Sequence, residues 1–216
     1  MSLQISGGVY RDDIHAYYDE AGKWVPSITQ VMSLVGLYSY AGINREILEN
    51  AQRRGSEVHA IAATYAKYGD VDPSFITSET EPYFEAYKRF MSEKGFVADP
   101  DWIETPVIAT VHGMKFGATP DTLGMGARSK HPWIVELKTS AVAVPSWSVQ
   151  TAAQEMAIFK TNNPGRARRM AVLLGKDGRY RTDTHEQAAY DGHIFVSSLS
   201  VVHYRLNCGQ KLWEVR

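Results

Sequence analysis

Three charged residues in the second half of the chain have types and spacing that suit metal-assisted hydrolysis. Asp121 lies in the run ATPDTLG, and Glu136 and Lys138 lie in IVELKTS. Both runs read as strands. On a strand, residues two apart project to the same face, so Glu136 and Lys138 point together while Leu137 points the other way. If the two strands are antiparallel neighbours, Asp121 comes alongside Glu136. Two carboxylates beside an ammonium suit a hard divalent cation, Mg2+ or Mn2+, held by oxygen ligands and substrate phosphate. The lysine could orient an attacking water or steady developing negative charge. A surface ion pair also explains Glu136 and Lys138. Against that, Ile134, Val135 and Leu137 make the run strongly apolar, and a carboxylate buried there needs a partner or a metal.

The elements that would position these residues follow from periodicity. The segment GVYRDDIHAYYDEAGKWVPSI reads as a hairpin turning at Asp19-Glu20-Ala21-Gly22, and Ser27 as the N-cap of a helix reaching Gly36. A long helix is expected from about Asn44 to Tyr68, interrupted at Gly55, and a second from about Pro73 to Lys94, ended by Gly95. From Trp102 the period changes. WIETPVIATV, MKFGATPDTLG and PWIVELKTS are expected to form three consecutive strands. Ser146 to Lys160 reads as a helix, RRMAVLLG and GRYRTD as a hairpin around Lys176-Asp177-Gly178, and Glu186 to Leu206 as a closing helix. The order implies an α/β or α+β sandwich around a mixed sheet, in one domain spanning 1–216: an extension over 1–42 and a catalytic core over 43–206.

Composition bounds the rest. With 216 residues, 44% hydrophobic and 22% charged, the chain can build a core without covalent staples. Its one cysteine, Cys208, forbids an internal disulfide and any cluster of cysteine ligands, and reads as a buried or idle thiol. No signal-peptide pattern and no membrane-length apolar run is seen, which leads to the expectation of a cytoplasmic protein with no membrane partner. The net charge of -1 does not advertise a polyanion partner, so any nucleic-acid face has to come from local clustering. No glycine-rich phosphate loop, histidine-rich metal motif or Gly-x-Ser-x-Gly elbow supports a phosphoesterase of another class acting on small nucleotides.

Pro120-Asp121 followed by Glu136-x-Lys138 resembles the PD-(D/E)XK nuclease signature. Other blocks add to the resemblance. RRGSEVHAI (residues 53–61) looks like the helical Gly-x-x-x-His block of RecB-like nucleases, and Glu104 sits where an additional acidic residue is often found. Gln150 with Gln154 looks like the Gln-x-x-x-Tyr block. VPSITQVM is similar to the start of phage-type exonucleases and of the mitochondrial genome maintenance exonuclease group. These matches span roughly residues 26–160. The resemblance implies a restriction-endonuclease-like core, a mixed central sheet flanked by helices. It implies His59, Asp121 and Glu136 as ligands of one or two Mg2+ or Mn2+ ions, with the Leu137 carbonyl as a further oxygen and Lys138 as the catalytic lysine. Glu104 would hold a second metal through water or orient the site. Gln150 would position the lysine, a ligand or the DNA strand. One departure is plain: Gln154 stands where the block usually carries an aromatic. His15, His112, His131, His185, His193 and His203 match nothing and are left structural.

What the resemblance implies about substrate is DNA, single-stranded or at duplex ends, trimmed as an exonuclease in phage or bacterial recombination or repair. A phage single-strand annealing or binding protein is the partner that fits. A related CRISPR-associated nuclease carries an iron–sulfur cluster on four cysteines, which one cysteine excludes. Candidate DNA contacts are Arg53 and Arg54 before the His59 block, a cluster of Arg166, Arg168, Arg169, Lys176, Arg179 and Arg181, and Trp147, Tyr38 and Tyr40 for stacking. An endonuclease of the same fold and a catalytically silent DNA-binding or assembly module stand as alternatives.

Overall fold

A computed structural model describes residues 1–39 and 42–212. The opening segment forms a meander of β1 (Ser2–Ile5), β2 (Gly8–Arg11), β3 (Ala16–Asp19) and β4 (Trp24–Val25), paired antiparallel in that order. The expected turn is present: Asp19 Oδ1 accepts from the N–H groups of Ala21 and Lys23, and Gly22 sits at φ 74°. The additional strand β1 folds back at Gly7 and Gly8, where a Cβ on Gly8 would strike the Tyr18 carbonyl.

Helix α1 (Ile28–Leu34) starts in a capping box, with Ser27 Oγ accepting from the Gln30 N–H and Gln30 Oε1 accepting from the Ser27 N–H. Helix α2 (Arg45–Tyr68) is capped by Asn44 and ended by Gly69 in the left-handed region. It runs through Gly55 without a break, contrary to the expectation from sequence. Helix α3 (Glu81–Lys94) begins later than periodicity suggests; residues Pro73–Phe75 make a single 3-10 turn. Pro82 explains this, because a proline ring tolerates the first turn of a helix but not its interior.

Between Gly95 and Ser140 there are five strands rather than three: β5 (Val97–Ile103), β6 (Val107–Val111), β7 (Met114–Ala118), β8 (Thr122–Met125) and β9 (Trp133–Lys138). WIETPVIATV divides at Glu104-Thr105-Pro106, and MKFGATPDTLG divides at Thr119-Pro120. Each proline lacks the N–H a continuing ladder would need. β6 and β7 pair only with each other among the described strands, closed by His112 and Gly113 at positive φ. α4 (Ser146–Phe159) then crosses to β10 (Arg168–Leu174), parallel to β9; β11 (Tyr180–His185) returns antiparallel, and α5 (Ala188–Asn207) follows. The main sheet has the order β11-β10-β9-β8-β5, so the chain is a mixed α/β structure.

Strand alternation sends the two faces of β9 to different cores. Trp133, Val135 and Leu137 pack with Val58, Phe84 and Phe90 of α2 and α3, whereas Ile134 meets Ile158 of α4. A further core joins α1, α4, α5 and the β6–β7 ribbon through Val31, Phe116, Ala153 and Phe195. The meander is tied to that ribbon where the Tyr17 ring lies against Gly117, a position with no room for a Cβ, and where Tyr17 and Thr119 share a hydrogen bond of 2.5 Å.

α4 is pinned from beneath by a buried charge network. Arg169, 1% exposed, donates to Asp191 Oδ2 (2.8 Å) and to the carbonyls of Ser148 (2.8 Å) and His185 (3.2 Å), with Glu155 Oε2 at 3.6 Å. Glu155 Oε1 accepts from the N–H groups of Gly165, Arg166 and Ala167. Removing one member leaves the others charged and dry. Arg169→Met is expected to cost about 3–5 kcal/mol and lower Tm by roughly 10 °C in a thermal melt. Gly55→Ala is expected to act in the other direction. Its Cβ would meet only Thr139 Oγ1 at 3.8 Å, so the gain in helix propensity of about 0.5–1 kcal/mol should raise Tm by roughly 1–4 °C.

Candidate metal centre

Three strand ends meet at one edge of the main sheet. Ile103, the last residue of β5, pairs with Thr122, the first of β8, and Thr122 pairs with Val135 of β9. The residues just beyond this register are Glu104, Asp121 and Glu136, brought together from three segments. Backbone hydrogen bonding secures the arrangement: the Glu104 N–H donates to the Asp121 carbonyl at 3.1 Å. Glu104 itself has φ 48°, a left-handed conformation that a non-glycine residue adopts at a cost of about 1–2 kcal/mol. Asp121 is buried and precedes β8 instead of ending a strand, and its Oδ2 accepts from the Leu137 N–H at 2.6 Å.

α2 lays His59 over this edge. Its Nδ1 lies 3.3 Å from Asp121 Oδ1 and 3.5 Å from Glu104 Oε1, while Nε2 is 3.1 Å from the Leu137 carbonyl. In the neutral tautomer with the proton on Nε2, that N–H donates to the carbonyl and the Nδ1 lone pair faces the carboxylates. A carbonyl behind the second ring nitrogen is how metal-ligating histidines are usually oriented. Ligand atoms of His59, Glu104 and Asp121 lie within 4.8 Å of one another, so the three could hold a metal ion.

The electrostatics of the three groups are interdependent. Burial pushes the Glu104 carboxyl up; the hydrogen bond from His59 opposes this, and the charge of Asp121 adds to the rise. Burial also works against the Asp121 carboxylate, but the charge and hydrogen bond of His59, with Lys138 and the Leu137 N–H, outweigh it and bring its pKa below the ordinary value. For His59 burial disfavours the cation, yet Asp121 and Glu104 overcome it and raise the imidazole well above its usual range. A proton on His59 thus occupies the place a divalent cation would take.

Glu136 is directed differently from the expectation. It is buried and turned towards α4: Oε1 accepts from Lys138 Nζ (2.6 Å) and Gln150 Nε2 (2.7 Å), and Oε2 from Gln154 Nε2 (2.6 Å). It is not among the three side chains whose ligand atoms converge, and the Leu137 carbonyl meets His59 Nε2. Lys138 also lies 3.3 Å from Gln150 Oε1 and 5.5 Å above the Trp147 ring. Glu136, Lys138, Gln150 and Gln154 share one cleft of about 710 Å3 with His59, Glu104 and Asp121.

The meander and α1 supply the opposite wall through His15, Tyr17, Ser27 and Thr29. Sequence reasoning left these out of the site. His15 had a faint signal, an isolated histidine beside aromatics, and its ring bonds the Tyr10 hydroxyl at 2.8 Å. Gln154 was visible only as a departure from a motif.

The expected DNA contacts separate. Arg169 is interior and bound to carboxylates, so it cannot meet a polyanion; the alternation of β10 turns it inwards beside exposed Arg168. Trp147 is 9% exposed and packs against Ala171 and Leu173 beneath Lys138, which removes it as a stacking platform for bases. Arg166 and Arg168 are exposed, but Arg168 lies opposite Trp133, at the far end of β9 from Lys138. Arg181 is nearer. It pairs with Leu173, which pairs with Lys138, and it donates to the Ala141 carbonyl. Arg53 is engaged by Glu57 and Glu79, and Arg54 by Glu79 at 3.6 Å and by the Tyr83 ring. Tyr38 donates to the Thr29 carbonyl, and Tyr40 lies outside the described residues. Cys208 is exposed at the end of α5 rather than buried. Among the described residues no helix is long and apolar enough to cross a membrane.

No protein-family model matches the chain, and no curated protein matches it.

The raised His59 pKa has a consequence for the metal-free protein. A basic group raised on folding stabilises fully below its unfolded pKa, about 6.5, and loses that contribution as pH rises through its folded value. In EDTA, wild type is expected to melt above His59→Gln at about pH 6, with the gap closing as pH rises. Melts over a pH series check this; a gap that stays constant would contradict it.

Proposed function

We propose that the protein is a divalent-metal-dependent deoxyribonuclease that hydrolyses phosphodiester bonds, acting from DNA ends. The observation that carries this reading is the placement of Lys138 and Glu136 in the same cleft as the converging His59, Glu104 and Asp121. That grouping matches the chemistry expected of a PD-(D/E)XK site, and the helix-flanked mixed sheet is compatible with a restriction-endonuclease-like core.

His59, Glu104 and Asp121 would hold Mn2+ or Mg2+, which supplies charge stabilisation on the phosphate oxygens and a more acidic bound water. Lys138 is kept near that position by Glu136, Gln150 and the Trp147 ring, and its ammonium orients the attacking water and meets negative charge building on the phosphate. Burial of Asp121 and Glu136 limits the water that would weaken these interactions. Hydrolysis adds water across the P–O bond, giving a phosphate-terminated and a hydroxyl-terminated product. The wall from His15 to Thr29 offers hydroxyl and imidazole groups to the strand, and Arg181, in register with Lys138 across β10, is a cationic contact. DNA with free ends, a single-strand annealing protein as partner and a cytoplasmic site of action belong to the same reading.

End-labelled single- and double-stranded DNA, incubated with Mg2+, Mn2+ or EDTA, provides the test, with closed circular DNA alongside. Wild type is expected to shorten linear DNA only with metal and to leave circles intact. Lys138→Ala should lose about 10²–10³-fold in rate. Cleavage that survives EDTA, or that is equal in the variant, would reject the mechanism. Equal cutting of circles would replace the exonuclease with an endonuclease.

A further inference from the structure

α4 buries an amide against the Glu136 carboxylate. Gln154 is 2% exposed, and its helix neighbours Ala152, Ala153 and Ala157 are fully buried. Its Nε2 donates to Glu136 Oε2 at 2.6 Å, but its Oε1 is buried with no hydrogen-bond partner. An orphaned buried acceptor costs about 1–3 kcal/mol, which an apolar residue of similar size would avoid. The benefit has to lie in what the N–H group does to Glu136.

A carboxylate has about four acceptor positions. On Glu136, Oε1 receives Lys138 and Gln150, and Oε2 receives Gln154 alone. One lone pair on Oε2 is therefore uncommitted, and the Gln154 N–H decides where it points. Without that donor, Lys138 and Gln150 grip only Oε1, and the carboxylate is free to turn about its terminal bond, a broad torsion.

We propose that Gln154 is a positioning residue. It holds the Glu136 carboxylate turned towards α4, so that Glu136 keeps Lys138 and Gln150 beside the cation held by His59, Glu104 and Asp121, and its own Oε1, in the same cleft, accepts a hydrogen bond from a water of that cation's shell. This rests on the metal-dependent reading of the site but not on DNA being the substrate. Partners of this kind, one step removed from the metal, typically contribute 10–100-fold in affinity.

Mn2+ binding to the full chain, without DNA, tests this by calorimetry or by the free-Mn2+ paramagnetic resonance signal. Gln154→Met removes both the amide donor and the amide acceptor at nearly constant volume, Gln154→Asn withdraws the donor by one methylene, and Gln154→His keeps an N–H donor. The Met and Asn variants are expected to bind Mn2+ about 10–100-fold more weakly, while His stays within about threefold of wild type. Wild-type affinity in either the Met or the Asn variant would overturn the proposal, as would equal loss in all three. If wild type binds Mn2+ but leaves DNA uncut, the nuclease reading fails and these affinities still decide the role of Gln154.

Discussion

Glu104, Asp121 and Glu136 crowd together on one sheet, Asp121 and Glu136 buried and Glu104 partly so, and their mutual repulsion has to be met by the protein. It is met in two ways. His59 sits between Glu104 and Asp121 and carries a proton well above its usual range, while Lys138 and two amides surround Glu136. Only β-sheet register brings the carboxylates this close, and only charge or hydrogen bonding makes the closeness tolerable. Most of the fold can be understood as what holds these two conditions together.

The sheet supplies the first condition. β5 and β8 end in step against β9, which runs on to Lys138, and the prolines at 106 and 120 send the β6–β7 ribbon away so that Glu104 and Asp121 remain beside Glu136. α2 supplies the second, with one long helix spanning from solvent at Ile47 to the core at Val58 and presenting His59 one residue later. α4 completes it from the other side, carrying Gln150, Gln154 and Trp147. Its own position depends on the buried Arg169–Glu155–Asp191 network, which ties α4 to β10 and α5. A charge cluster distant from the chemistry thereby sets the geometry of Lys138.

The N-terminal meander has a larger part than an extension would have. Its Tyr17 seats against Gly117 and Thr119 of the ribbon, and the result is the far wall of the cleft. That wall carries hydroxyl and imidazole groups, in contrast to the carboxylates of the floor. Among the described residues that line the cleft, Lys138 is the one lysine or arginine, and Arg53, Arg54 and Arg169 lie outside that lining, engaged by acidic residues. A ligand would be oriented there more by hydroxyl and imidazole groups than by long-range attraction.

Local rules were enough to read much of this from the chain. Capping at Ser27, the glycine stop at 95, the Asp19–Gly22 turn and the alternation that separates Leu137 from Glu136 and Lys138 all depend on neighbours within a few residues, so the amino-acid order by itself determined them. The proximity of Asp121 to Glu136 was also within reach, as a consequence of two adjacent antiparallel strands. The partners of each side chain were not. Whether Arg169 met solvent or Asp191, whether Trp147 was a platform for bases or a support for Lys138, and whether Glu136 faced His59 or Gln154 depended on contacts between residues far apart in sequence. Charge and residue type are the same in either case. Burial and direction belong to the packed tertiary structure, and these decided which polar groups became the site and which became its foundations.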